Sequence, residues 1–117
     1  MGGSQIYLQP NEIMSVESLF KSSALSSAND AITALAEKVG ETESNFVAMM
    51  NQRARDLGCI NTNFVDPTGL HENDHYSTAR DMAIIAQALI REGGQDILQY
   101  TSYYEDYIRE KTDNKFF

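Results

Sequence analysis

The sequence has 117 residues, with 9 Lys and Arg against 17 Asp and Glu, which gives a formal charge of −8. That length suits one small domain, and 42% hydrophobic residues at ordinary charge density exclude wholesale disorder. A negative balance repels phosphate backbones, and no Lys/Arg cluster offsets it locally, so no nucleic-acid partner is expected.

Cys59 is the single cysteine, which excludes an intramolecular disulfide framework and cannot by itself supply a zinc site. The apolar stretches are interrupted every few residues by Glu, Lys, Asn or Asp, far short of the roughly 20 residues a membrane span needs. No membrane segment is expected in this chain. The opening Met1-Gly2-Gly3-Ser4 lacks the basic start and apolar run of a signal peptide, so any export signal is expected outside it.

In chain order, residues 5–10 (QIYLQP) alternate weakly and stop at proline, predicting a short extended piece. Ser15 opens a helix over about 16–25, with Val16, Leu19, Phe20 and Ala24 at helical spacing and Glu17 in its first turn. Ala28, Ala31, Ile32, Leu35, Ala36 and Val39 follow at i, i+3, i+4, i+7, i+8 and i+11 until Gly40 ends the run. Alanines line this helix, so a neighbouring helix can approach closely.

A third helix is predicted over about 43–57, burying Phe46, Val47, Met50, Ala54 and Leu57, turning Asn51, Arg53 and Arg55 to water and closing at Gly58. Periodicity disappears from Cys59 to Tyr76, where Asn61, Asn63, Asp66-Pro67-Thr68-Gly69, Asn73 and Asp74 punctuate a long loop with room for a small hairpin. Ser77 or Thr78 caps a fourth helix. Thr78-x-x-Asp81 has capping-box spacing, Met82, Ile85, Ala86, Leu89 and Ile90 supply its apolar stripe, and Gly93-Gly94 end it. A short helix over 95–100 follows, then an aromatic tail with strand-like alternation. The expected architecture is mainly α, an orthogonal helical cluster.

Ser27-Ala28-Asn29-Asp30 stands where a loop enters the second helix. Capping preferences alone read it as Ser27 at the N-cap with Asp30 closing the box. A second reading is chemical. In acyl transfer to a serine nucleophile, another hydroxyl can relay a proton toward the leaving amine, while a nearby Asn side chain holds the substrate's backbone amide. The Ser-x-Asn pattern does both jobs in penicilloyl-serine enzymes.

Three separated features carry a resemblance: SAND at Ser27–Asp30, NTNFVDPTGL at Asn61–Leu70 and HYSTARDMA at His75–Ala83. Together they resemble the helical region of the penicillin-binding serine D-alanyl-D-alanine carboxypeptidases of low molecular mass, over nearly the whole chain. The resemblance implies the all-helical subdomain of the penicillin-binding/β-lactamase transpeptidase-like fold, with residues 1–117 a truncated single domain and 103–117 starting the return into a missing sheet. It also implies an exported parent that cleaves peptidoglycan stem peptides ending in D-Ala-D-Ala, binds β-lactams and uses no cofactor or metal. Within this sequence only Ser27 and Asn29 fall to the catalytic apparatus; Asp66, Pro67, Gly69, Thr78 and Asp81 are read as structural.

The family's nucleophile and its lysine lie in an SxxK motif several tens of residues before Ser-x-Asn, and a KTG motif follows on a strand. Ser18-Leu19-Phe20-Lys21 matches SxxK as a string, but Lys21 precedes Ser27 by 27 − 21 = 6 positions and falls on a segment that aligns after the true motif. It is a decoy. Lys111-Thr112-Asp113 is not KTG, because aspartate replaces the glycine that permits close approach and opposes a carboxylate substrate. The expectation is an inactive isolated chain.

His71 and His75, beside Glu72 and Asp74, read as loop packing rather than a metal site, and Cys59 beyond a helix C-terminus reads as unreactive. Met49-Met50 and the tyrosines over 100–107 read as packing residues. Apolar surfaces left without a sheet predict self-association. Two alternatives stay open: a self-contained acidic helical interaction module, and a piece of a β-lactamase or peptidoglycan endopeptidase.

Overall fold

A computed structural model describes residues 3–70, 73–109 and 115–116. Its order is α1 (Val16–Ser26), α2 (Asn29–Gly40), α3 (Glu43–Asp56) and α4 (Ala79–Thr101), then strands β1 (Tyr107–Ile108) and β2 (Lys115–Phe116). The strands pair antiparallel, Tyr107 opposite Phe116 and Ile108 opposite Lys115. The expected mainly helical architecture is present, with helix bounds within a few residues of the sequence reading.

Three helices start as their sequences dictate. Ser15 Oγ accepts the Ser18 N–H at 3.0 Å, Thr42 Oγ1 the Asn45 N–H at 3.0 Å, and Thr78 Oγ1 the Asp81 N–H at 3.1 Å, each satisfying a donor the helix leaves unpaired. Helix α2 is the exception. Its N-cap is Ala28, whose side chain makes no capping bond.

The alanine face does what its small side chains permit. Helix α2 lies between α1 and α3, with Ala28, Ala31 and Ala36 buried. Gly40 corrects the sequence reading in its reason: it is the last helical residue, and the positive φ of 71° belongs to Glu41. Gly40 is needed for space, since a Cβ there would stand 2.8 Å from the Phe46 backbone nitrogen. Gly58, with φ 90°, ends α3 as expected. Helix α4 breaks at Gly94 (φ 54°, ψ −138°) and resumes through the predicted short helix.

The core sits at one end, where Ile6, Ala28, Ala31 and Ile108 meet and Leu8, Met14 and Leu19 pack on them. It therefore joins the N-terminal extended segment, the α2 entrance and β1. Arg109 clasps the same end, with Nη2 on Glu12 Oε1 at 3.0 Å, Nε on Glu12 Oε2 and Nη1 on the Ile6 carbonyl at 3.0 Å.

Several predicted core residues are exposed. Val16, Ala24 and Val39 face outward on α1 and α2, and Met82, Ala86, Leu89 and Ile90 do so on α4, where Asp81 and Ala88 are the buried residues. Amphipathic periodicity reports a face that favours burial, not whether a second layer is present to bury it. The accessible surface, 7998 Å², exceeds by about a quarter the roughly 6,400 Å² expected of a folded 13.1 kDa monomer.

Candidate functional site

Helix α1 ends on Ser27, whose φ of 52° and ψ of 40° place it in the left-handed region glycine usually fills. The Ser27 N–H donates to the Ser23 carbonyl at 3.1 Å and the Ala28 N–H to the Ser22 carbonyl at 3.2 Å, so the chain is wrapped back against α1 before α2 begins. Ser27 is thus a C-terminal cap of α1. It does not cap α2, and the reading of Ser27 and Asp30 as a capping box is overturned. The turn leaves Ser27 exposed, buries Ala28 completely and leaves Asn29 only 5% exposed.

Asp30 turns outward from α2 instead. Its Oδ1 accepts the Ile6 N–H at 3.0 Å and the Ala31 N–H at 3.0 Å, and its Oδ2 accepts the Leu8 N–H at 2.9 Å. The Asn29 N–H donates to the Ser4 carbonyl at 2.7 Å. Residues 4–8 are therefore strapped across the α2 entrance, partly by backbone and partly by carboxylate. Gly3, at φ 73°, lies over the Asn29 carboxamide: a Cβ there would collide with Nδ2 and stand 3.4 Å from Leu70 Cδ2. The 59–76 loop reaches the same place through Leu70.

Two buried carboxylates shape that loop. Asp66 Oδ1 accepts the Thr68 N–H at 3.1 Å and the Gly69 N–H at 2.5 Å, a side-chain turn that leads into Leu70, with Gly69 at φ 83°. Asp81 Oδ2 accepts the Asn61 N–H at 2.9 Å and the Thr62 hydroxyl at 2.6 Å. Asn63 and Tyr76 exchange both backbone hydrogen bonds, at 2.9 and 3.0 Å, which makes the predicted small hairpin an isolated antiparallel bridge.

Asn51 also belongs to this scaffold, which corrects its assignment to the solvent face. Its Nδ2 donates to the Phe64 carbonyl and its Oδ1 accepts the Phe64 N–H, both at 2.8 Å. The signal was present in the sequence: Val47, Met50, Asn51 and Ala54 share one helical face, so a carboxamide sits within the apolar stripe. Nothing comparable marks Asp30, whose partners Ile6 and Leu8 are 24 and 22 positions away.

The other candidates separate cleanly. Lys21 Nζ lies 2.8 Å from Asp106 and 3.7 Å from Glu17, and the Asp106 hydrogen bond holds its pKa above the ordinary lysine value. Ser18 Oγ is bonded to Ser15 Oγ at 3.0 Å. A lysine held protonated by two carboxylates is no base for the Ser18 hydroxyl. Burial, then the Asp81 charge, push the Cys59 thiol upward, away from thiolate chemistry. His75 packs edge-on against Phe64, and its Nδ1 accepts the Val65 N–H at 3.1 Å. The same nitrogen stands 4.0 Å from Asp66 Oδ1. Among the described residues no group of three or more His, Cys, Asp and Glu is placed to hold a metal ion. His71, Glu72 and Lys111-Thr112-Asp113 lie outside the described residues. A groove of about 510 Å³ on α3, lined by Phe46, Met49, Met50, Gln52, Arg53 and Asp56, shares no residue with the Ser27–Asp30 turn.

A family model described as D-alanyl-D-alanine carboxypeptidase matches residues 1–117. The chain is 50% identical over 116 residues to the D-alanyl-D-alanine carboxypeptidase DacF of Bacillus subtilis, covering 99% of this chain and 29% of that protein. Among solved structures it is similar to the D-alanyl-D-alanine carboxypeptidase DacD of Francisella tularensis, with a TM-score of 0.87, 34% identity and coverage of 98% of this chain and 28% of that one. Penicillin-binding protein 5 of Haemophilus influenzae superposes with a TM-score of 0.85 at 36% identity, covering 92% of this chain and 31% of that one. The chain thus spans less than a third of the length of these relatives. With its full length matched and its helices superposing on theirs, this chain belongs to the D-alanyl-D-alanine carboxypeptidase family.

Proposed function

We propose that this chain is the helical part of an extracytoplasmic serine D-alanyl-D-alanine carboxypeptidase that removes the terminal D-alanine of peptidoglycan stem peptides and is acylated by β-lactams. In this reading a serine of an SxxK motif elsewhere in the polypeptide attacks the D-Ala-D-Ala carbonyl. The peptide C–N bond breaks, D-alanine leaves with a proton on its amine, and water hydrolyses the resulting ester. Ser27 relays the proton toward the leaving nitrogen, and Asn29 orients the substrate's backbone amide. Residues 103–117 begin the return to the sheet that would carry KTG.

The observation that supports this reading most is the turn at Ser27. Its hydroxyl is not engaged in capping α2, and it stands exposed on a left-handed residue two positions from Asn29, whose backbone N–H is bonded to the Ser4 carbonyl and whose carboxamide lies under Gly3. Ser27 caps α1 through its backbone and leaves its hydroxyl out of the first turn of α2, whereas the interaction-module alternative has this turn serving only as a cap.

The test is D-alanine release from a pentapeptide, together with covalent labelling by a fluorescent penicillin, in a full-length polypeptide containing SxxK and KTG. Ser27→Ala and Asn29→Ala should each lower the acylation rate by about 10²-fold with the fold retained. The 117-residue chain alone should not be labelled, and a covalent adduct on it would overturn the division of the active centre. Cleavage of cross-linked peptides in preference to the pentapeptide would favour the endopeptidase alternative.

A further inference from the structure

The carboxylate of Asp30 is more elaborately bonded than a helix entrance requires. A first-turn aspartate satisfies α2 by accepting the Ala31 N–H alone. Asp30 accepts two more backbone donors, Ile6 and Leu8, at alternate positions of an extended segment more than twenty residues away in sequence. Three N–H donors converging on one side chain call for a group that only accepts. An asparagine in its place would keep one oxygen and turn an NH2 toward a backbone N–H.

The strapped segment bears on both residues of the proposed site. On one side, Ser4 takes the Asn29 N–H and Gly3 lies over the Asn29 carboxamide, where a Cβ would have to displace Nδ2. On the other, Ala28 is completely buried in the cluster containing Ile6, so the turn that presents Ser27 cannot shift without displacing the residue whose N–H Asp30 holds. Releasing the carboxylate would loosen the strap at Ile6 and Leu8, leaving the Ser4 and Arg109 bonds alone to hold the cover of Asn29 and the seat of Ala28. Misplacement of about 1 Å at a reacting group costs about 10²-fold in rate.

We propose that Asp30 is a positioning residue for the Ser27–Asn29 pair: by clamping Ile6 and Leu8 to the α2 entrance it fixes where the hydroxyl and the carboxamide stand. It touches no reacting atom. The inference rests on the proposed reading of Ser27 and Asn29.

The experiment compares wild type, Asp30→Asn, Asp30→Ala and Thr42→Ala in the full-length enzyme. Thr42 caps α3 and has no contact with the clamp, so Thr42→Ala controls for lowered stability. The readout is the limiting acylation rate by a fluorescent penicillin at a temperature where near-ultraviolet dichroism shows every variant folded. Asp30→Asn should lose about 10-fold and Asp30→Ala about 10²-fold, with Thr42→Ala acylated at the wild-type rate. Asp30→Glu, which keeps the charge but lengthens the arm that reaches Ile6 and Leu8, is the milder variant; it should lose acylation likewise and serves if the other two do not fold. Folded Asp30 variants acylated within about twofold of wild type would overturn the proposal, as would an equal loss in Thr42→Ala at matched thermal midpoint. A wild-type enzyme that penicillin does not label would instead overturn the reading of the site.

Discussion

Replacing Asp81 tests whether a buried carboxylate holds the 59–76 loop to α4. Asp81 is 2% exposed, and a single oxygen, Oδ2, receives both the Asn61 N–H and the Thr62 hydroxyl. In Asp81→Ala both bonds to a charged acceptor vanish, each worth about 1.5 kcal/mol or more. Thr62 recovers part of its loss through Ser77 Oγ, already 2.9 Å away, whereas the Asn61 N–H loses its acceptor. The expected destabilisation is about 2–3 kcal/mol, or about 8–12 °C in thermal midpoint for a chain of this size. Asp81→Asn can place its carbonyl oxygen where Oδ2 stands and keep both bonds without the charge, so it should lose only about 1 kcal/mol. Urea unfolding followed by circular dichroism at the helix band measures both variants. Equal losses in the two, or an alanine variant within about 0.5 kcal/mol of wild type, would refute the bond-by-bond account.

Three further outcomes follow from the same geometry. The Arg109 hydrogen bond, with a smaller contribution from the Gln9 N–H, holds the Glu12 carboxyl below its ordinary value. Since the folded state is then the more acidic one, the clasp stabilises above the ordinary carboxylate range and weakens as pH falls through the folded value. Glu12→Gln should therefore flatten the acid limb of stability between roughly pH 5 and pH 2, and an unchanged limb would count against the clasp. Cys59, buried and bonded through Sγ to the Asp81 carbonyl at 3.6 Å, should resist a disulfide reagent in the folded chain and react fully in denaturant; native reaction at the rate of a free thiol would contradict its burial. Exposed Met49, Met82, Leu89, Ile90 and Leu98 predict concentration-dependent self-association of the isolated chain, and light scattering that gives one monomer mass at every concentration would dismiss it.

Local chemistry was legible where it acts within a few residues. Ser15 and Thr78 cap as their types and spacing dictate, Gly58 turns as a helix-ending glycine does, and the alanines of α2 admit neighbours on both sides. What the string concealed was contact at long range. Ser27 and Asp30 have capping-box spacing, yet the N-terminal segment claims the aspartate and a left-handed turn claims the serine. The same limit explains α4, whose stripe is correctly periodic but largely uncovered. Of the site itself, the Ser-x-Asn pattern was visible, whereas the turn that exposes Ser27 and the glycine that covers Asn29 were not.

The meeting of Ile6 with Ile108 and Arg109 has a thermodynamic consequence. The guanidinium reaches an oxygen 103 positions back along the polypeptide, so this junction closes a ring of about a hundred residues. Bringing the ends of so long a flexible segment together costs roughly 4 kcal/mol in chain entropy, counting the logarithmic part alone. Neighbouring strands gripping both ends would supply that closure in advance, leaving the clasp to lock a bundle whose two leads were already side by side.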